Sequence, residues 1–124
     1  MRLNLKITAI LGAIAVILGA FGAHALKETL TVDALKSFET GVRYQMYHVI
    51  VLLFVNGYQG FSNQTKNRIS YLFFAGISCF SGSIYAISFG VPAKSIWFLT
   101  PLGGLLLILA WGYMLISFMK STKN

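Results

Sequence analysis

Five side chains of this 124-residue chain set polar chemistry inside apolar surroundings: His24, Gln45, His48, Tyr85 and Thr100. Polar groups within apolar runs are costly unless satisfied, so they mark places of binding, proton relay or helix fastening. An imidazole can relay a proton or ligate a metal. An amide, a phenol and a hydroxyl can together hydrogen-bond a small molecule or a lipid headgroup. Gln45 and His48 are three residues apart and share one helical face. Two histidines underdetermine a metal site, and no Cys/His/Glu set shows metal-ligand spacing, so no metal and no resident cofactor are expected. Haem or a quinone beside His24 and His48 is the redox alternative. There is no P-loop, no G-x-S-x-G, no H-E-x-x-H and no carboxylate pair in an apolar run, so the chain reads as a non-enzyme with no catalytic residue.

The elements that must position these residues are four apolar stretches, Ile7–Ala25, Tyr44–Phe61, Ile69–Phe89 and Ile96–Met119, free of Lys, Arg, Asp and Glu. A hydrocarbon core of ~30 Å needs ~20 helical residues, so each stretch is expected to span a bilayer, the second being the shortest. Hydrophobic residues make up 56% and charged residues 10%, with mean hydropathy +0.72, too little charge to cover a soluble fold. A single membrane domain over residues 1–124 follows. The net charge of +7 is scattered through loops and ends without an aromatic-interleaved basic stripe, which argues against nucleic acid. Arg2, Lys6 and Ala23-His24-Ala25 imitate a signal peptide, but the apolar run exceeds the usual ~7–15 residues, and retention is expected. Cys79, the single cysteine, lies within the third stretch and reads as a small packing residue.

Loop charges suggest a topology. Arg2, Lys6, Lys66, Arg68, Lys120 and Lys123 would lie on one side and Lys27, Lys36, Arg43 and Lys94 on the other. The positive-inside rule then puts both termini in the cytoplasm. The first loop holds all three acids, Glu28, Asp33 and Glu39. In it Thr31 is an N-cap candidate, Glu39 and Arg43 form an i,i+4 interfacial ion pair, and Leu35, Phe38 and Val42 recur at helical spacing. Residues 32–43 thus read as an amphipathic interfacial segment running on into the second stretch.

Short connections make sequential helices antiparallel neighbours, which predicts an all-α, four-helix antiparallel bundle. Helices in lipid associate through close packing, and Gly19, Gly22, Gly82, Gly103 and Gly104 are the expected contact points. In that arrangement His24, Gln45, His48, Tyr85 and Thr100 fall at one outer end. His24 would lie ~3 Å and His48 ~6 Å inside their helices, with Glu39 and Arg43 above them. The plainer role of both histidines is structural or interfacial.

Gly19-Ala20-Phe21-Gly22-Ala23-His24-Ala25-Leu26-Lys27 and Phe38-Glu39-Thr40-Gly41-Val42-Arg43-Tyr44-Gln45-Met46-Tyr47-His48 carry a family resemblance. So do Phe80-Ser81-Gly82-Ser83-Ile84-Tyr85 and Leu99-Thr100-Pro101-Leu102-Gly103-Gly104, with Trp111 following. Across its length the chain resembles the domain of unknown function 423 family of small bacterial inner-membrane proteins. The resemblance implies a four-span protein of the cell membrane and implies no activity. Three functions follow as expectations: a bundle binding a small ligand, lipid or proton at the polar end in transport or sensing, a haem- or quinone-associated redox subunit, and a structural or assembly subunit. The expected partners are the lipid bilayer and either further copies of the chain or another membrane protein.

Overall fold

The computed structural model describes residues 2–121 and is helical almost throughout. Helix α1 (Arg2–His24) leads through a 3-10 turn at Leu26–Glu28 into α2 (Val32–Gly57). Then come α3 (Asn63–Ser88), the single turn α4 (Ala93–Ile96) and α5 (Leu99–Ser121). Local chemistry sets the boundaries. Thr31 and Ser62 cap α2 and α3, each accepting a backbone N–H at 3.1 Å, from Ala34 and Thr65. The chain leaves α3 through Gly90, whose φ of +114° is open to glycine, and Pro92 stands just before α4. Pro101 sits in the first turn of α5, where a missing N–H costs little.

Two expectations are corrected here. Only Leu3–His24, Asn63–Ser88 and Ala93–Lys120 are long and apolar enough to cross a membrane, so the described residues provide three such helices, not four. Helix α2 has the length, at 26 residues, but Gln45, His48 and Asn56 interrupt its apolar run. It can carry these groups because α1 covers one side of it and α3 another. The expected amphipathic segment at 32–43 is not a separate interfacial element either. It is the first half of α2, and one face of it packs against the fold: Phe38 is fully buried, with its ring 5.3 Å from that of Tyr85 and 5.9 Å from that of Phe89.

Packing follows chain order, α1 on α2, α2 on α3 and α3 on α5. The apolar core lies between α2, α3 and α5 and includes Leu52, Val55, Ile69, Phe73, Leu107 and Met114. The tightest helix contact is at Gly103, where a Cβ would meet the backbone nitrogen of Phe80, and Gly76 takes the side chain of Leu107. Gly22 receives the Phe38 ring, Gly19 makes ordinary contact with Val42, and Gly104 barely reaches Phe80. At Gly82 a Cβ would face open space among the described residues, so it is not a close helix contact. Large apolar side chains such as Ile10, Ile17, Ile108 and Ile116 cover the outside, as a surface bathed in lipid requires.

Candidate functional site

The register of α1 against α2 decides where the candidate residues lie. Gly22 faces Phe38, Gly19 faces Val42 and Gly12 faces Val49. His24 is therefore level with the start of α2, and His48 is level with Gly12, roughly 18 Å along the helix at ~1.5 Å per residue. The two histidines do not meet. His24 is exposed and bonds no described residue, whereas His48 is buried mid-helix. The expected depth of ~6 Å for His48 presumed a helix beginning at Tyr44; α2 begins a full twelve residues earlier, at Val32.

His48 has both nitrogens engaged. The carbonyl of Tyr44 takes a hydrogen bond from Nδ1 at 2.6 Å, and the indole N–H of Trp111 donates to Nε2 at 3.1 Å. A carbonyl only accepts and an indole N–H only donates, so the ring is the neutral Nδ1–H tautomer. Phe73 packs beside it, its ring 5.3 Å away. In this arrangement both ring nitrogens are taken up by hydrogen bonds within the chain.

Gln45 joins three helices. Its amide N–H donates to the carbonyl of Leu11 on α1 at 2.7 Å, and its Oε1 accepts the hydroxyl of Tyr85 on α3 at 2.7 Å. Close by, Ser81 donates to the carbonyl of Gly41 at 2.6 Å. Ser83 on α3 and Thr100 on α5 share a hydrogen bond at 2.5 Å. The structure thus brings Gln45 and Tyr85 together, places His48 a turn further along α2, and sets Thr100 apart with Ser83. Arg43 donates to Thr40 at 3.1 Å, and among the described residues no ion pair joins it to Glu39.

A second buried polar group has no counterpart among the expected sites. Asn4 on α1 donates to Asn56 on α2 at 3.2 Å and to Asn67 on α3 at 2.8 Å. Asn56 in turn donates to Ser70 at 2.9 Å, and buried Thr8 donates back to the Asn4 carbonyl at 2.7 Å. The signal in the sequence is Asn56 directly after the apolar run Val49–Val55, a polar group that must find a partner. Trp111, which the sequence marks only as part of the family resemblance, is the partner of His48.

Taken together, the buried polar groups tie α1 to α2, α2 to α3, and α3 and α2 to α5. Among the described residues no buried side-chain nitrogen or oxygen lacks a hydrogen-bond partner. No three His, Cys, Asp or Glu among them gather as a metal site. These bonds fasten the helices to one another. Space for a ligand lies at its edge. A cleft of about 380 Å³ between α2, α3 and α5 is lined by Ser37, Thr40, Ile84, Ile87, Ser88 and Thr100 among others.

Comparison with known proteins places this architecture. The family described as "Protein of unknown function (DUF423)" matches residues 18–104, a segment holding every expected ligand residue. A UPF0382 membrane protein of Staphylococcus aureus is 38% identical over 94% of this chain and 98% of its own length. The UPF0382 membrane protein YwdK of Bacillus subtilis is 38% identical over 94% of this chain and 98% of its own. The UPF0382 inner membrane protein YgdD of Escherichia coli is 33% identical over 99% of this chain and 94% of its own. No solved structure matches. With three helices fit to cross a bilayer and relatives matched over nearly their whole length, the chain belongs to the DUF423/UPF0382 family of small membrane proteins.

Proposed function

We propose that the protein is a structural or assembly subunit of a larger membrane complex, acting by packing rather than by chemistry. The observation that supports this reading is the saturated interior: polar side chains from successive helices bond one another, and among the described residues no buried side-chain nitrogen or oxygen is left without a partner. The flanking helices supply the surfaces. Helix α1 packs mainly on α2 and α5 mainly on α3, so each keeps a broad apolar face outside the chain's own core. Gly82 adds a half-buried notch that nothing in the chain fills. The E. coli relative carries "inner membrane" in its name, and we assign this chain to the bacterial cell membrane. The contacts of Asn4 with Asn67 and of Arg68 with Tyr113 gather the start of α1, the start of α3 and the last turns of α5 at one basic end. The positive-inside rule assigns that end, with both termini, to the cytoplasm.

The test is gentle extraction at native expression level followed by native mass spectrometry. Recovery with a second membrane protein, or with further copies at fixed stoichiometry, is the expected result. Gly82→Leu should reduce that recovery, because the notch is free of the chain's own atoms, while His24→Ala leaves it unchanged. A monomer carrying only lipid, with identical profiles for all variants, would overturn the reading. The Thr100 cleft favours a second reading, binding of a small uncharged amphiphile among its hydroxyls and apolar walls. A co-purifying small molecule lost in Thr100→Val would select that reading instead.

A further inference from the structure

The basic end contains a feature that neither the fastened interior nor the family likeness accounts for. A cleft of about 390 Å³ opens between the α2–α3 turn, the first turns of α3 and the last turns of α5. Its polar wall is Ser62, Thr65, Arg68, Tyr113, Ser117 and Lys120. Two of these are cations and the other four carry hydroxyls. We propose that this cleft binds a phosphate group, held between the Arg68 guanidinium and the Lys120 ammonium with the Thr65 and Tyr113 hydroxyls as donors beneath, since Ser62 and Ser117 already donate to Thr65 and to the Tyr113 carbonyl.

Charge distribution supports an anion. The chain's three acids, Glu28, Asp33 and Glu39, all lie at the opposite end, where Gly22 meets Phe38. Around the cleft the described residues supply Lys6, Lys66, Arg68 and Lys120 at the same ends of their helices, with no carboxylate to compete. Donor geometry supports phosphate in particular. Arg68 donates to the Tyr113 hydroxyl at 3.2 Å, which leaves the phenolic proton free to point into the cleft. A guanidinium has five N–H donors, so this bond leaves others for a phosphate oxygen. Ser117 is tied to the Tyr113 carbonyl at 2.8 Å, which steadies the far wall. The α3 N-terminus, capped by Ser62, adds the positive end of its dipole, and Lys120 offsets the carbonyls at the end of α5. Both helices are spans, so the cleft sits at the level of lipid headgroups.

The phosphate can come from an anionic lipid or from a soluble phosphate compound, and one experiment separates them. The full chain is placed in nanodiscs of phosphatidylcholine alone or of equal parts phosphatidylcholine and phosphatidylglycerol, and retained lipid is counted by native mass spectrometry after release. In parallel, inorganic phosphate and glycerol phosphate are titrated onto protein in neutral detergent. Selective retention of phosphatidylglycerol that falls about tenfold in Arg68→Gln and in Lys120→Gln supports a lipid phosphate. Saturable binding of a soluble phosphate, lost in the same variants, supports the site with the other source. Lys94→Gln removes the same charge at the opposite end and should change neither. Equal losses from Lys94→Gln, or no loss from the cleft variants, would overturn the proposal. Lys120→Gln breaks no hydrogen bond among the described residues, so it remains decisive even where Arg68→Gln unsettles the Tyr113 contact.

Discussion

Trp111 on α5 donates its indole N–H to Nε2 of His48 on α2 across 3.1 Å, and that contact fixes the imidazole as a neutral acceptor. It is a direct polar tie between helices that otherwise meet mainly through α3. Trp111→Phe keeps the ring and removes the donor. Interhelical hydrogen bonds in membranes are worth ~0.6–1.7 kcal/mol, so a loss in that range is expected on denaturant titration in bicelles. His48→Ala should cost more, about 1–3 kcal/mol, because it leaves the indole N–H without its acceptor in apolar surroundings. A larger loss from Trp111→Phe than from His48→Ala would contradict this account. Neither variant should alter the visible absorbance of protein expressed with ample haem.

Two glycines that look alike in the sequence should behave in opposite ways. At Gly103 a Cβ would clash with the backbone nitrogen of Phe80, and backbone cannot rotate away. Gly103→Ala must push α3 and α5 apart, at a cost of ~1–3 kcal/mol or more. At Gly82 no described atom beyond its own stretch of helix lies within 4 Å of that position. Gly82→Ala should be neutral or gain up to ~1 kcal/mol from reduced backbone freedom in the unfolded chain. Thermal unfolding of both variants in one detergent is sufficient. Matching shifts would show that the close approach at Gly103 does not set the helix spacing.

The contrast shows what was legible and what was not. Caps and turn residues are local chemistry, so Thr31, Pro92 and Pro101 mark element starts that the fold uses. The start of α2 is not local. Lys36, Glu39 and Arg43 suggest a loop or interface, yet Phe38 and Gly41 between them are buried against α1 and α3, and the helix begins at Val32. That offset moves His48 from a helix end to the interior and separates it from His24. Gln45 and Tyr85 do meet, because polar groups inside apolar runs must find partners. Which partner each finds depends on helix rotation and register, properties of the whole assembly, so Trp111 with His48 and Asn4 with Asn56 are not readable from spacing.

His24 provides the negative control for every histidine-based mechanism. It is exposed at the end of α1 and bonds no described residue. His24→Ala should shift stability by no more than about ±0.5 kcal/mol, the range for surface substitutions away from caps and networks. It should also leave co-purifying proteins and lipids unchanged by native mass spectrometry. A loss of partner or ligand in this variant would place function at the exposed end rather than in the packing faces.

The asparagine group makes the most exacting test of the fastened interior, because it couples three helices through one side chain. Asn4 reaches both Asn56 and Asn67, and Asn56 continues to Ser70. If these contacts act as one network, Asn4→Ala and Asn67→Ala must be non-additive. Once Asn4 is gone, removing Asn67 breaks no remaining bond to it. The double-mutant cycle should therefore return a coupling of ~0.6–1.7 kcal/mol, the range for a single interhelical bond. Asn4→Ala paired with Trp111→Phe has no shared partner and should add within ~0.3–0.5 kcal/mol. The bonds are separable only if both results hold. Additivity at Asn4 and Asn67 would mean that close packing alone joins α1 to the first turns of α3. Coupling between Asn4 and Trp111 would mean that the polar groups act through a shift of whole helices rather than bond by bond.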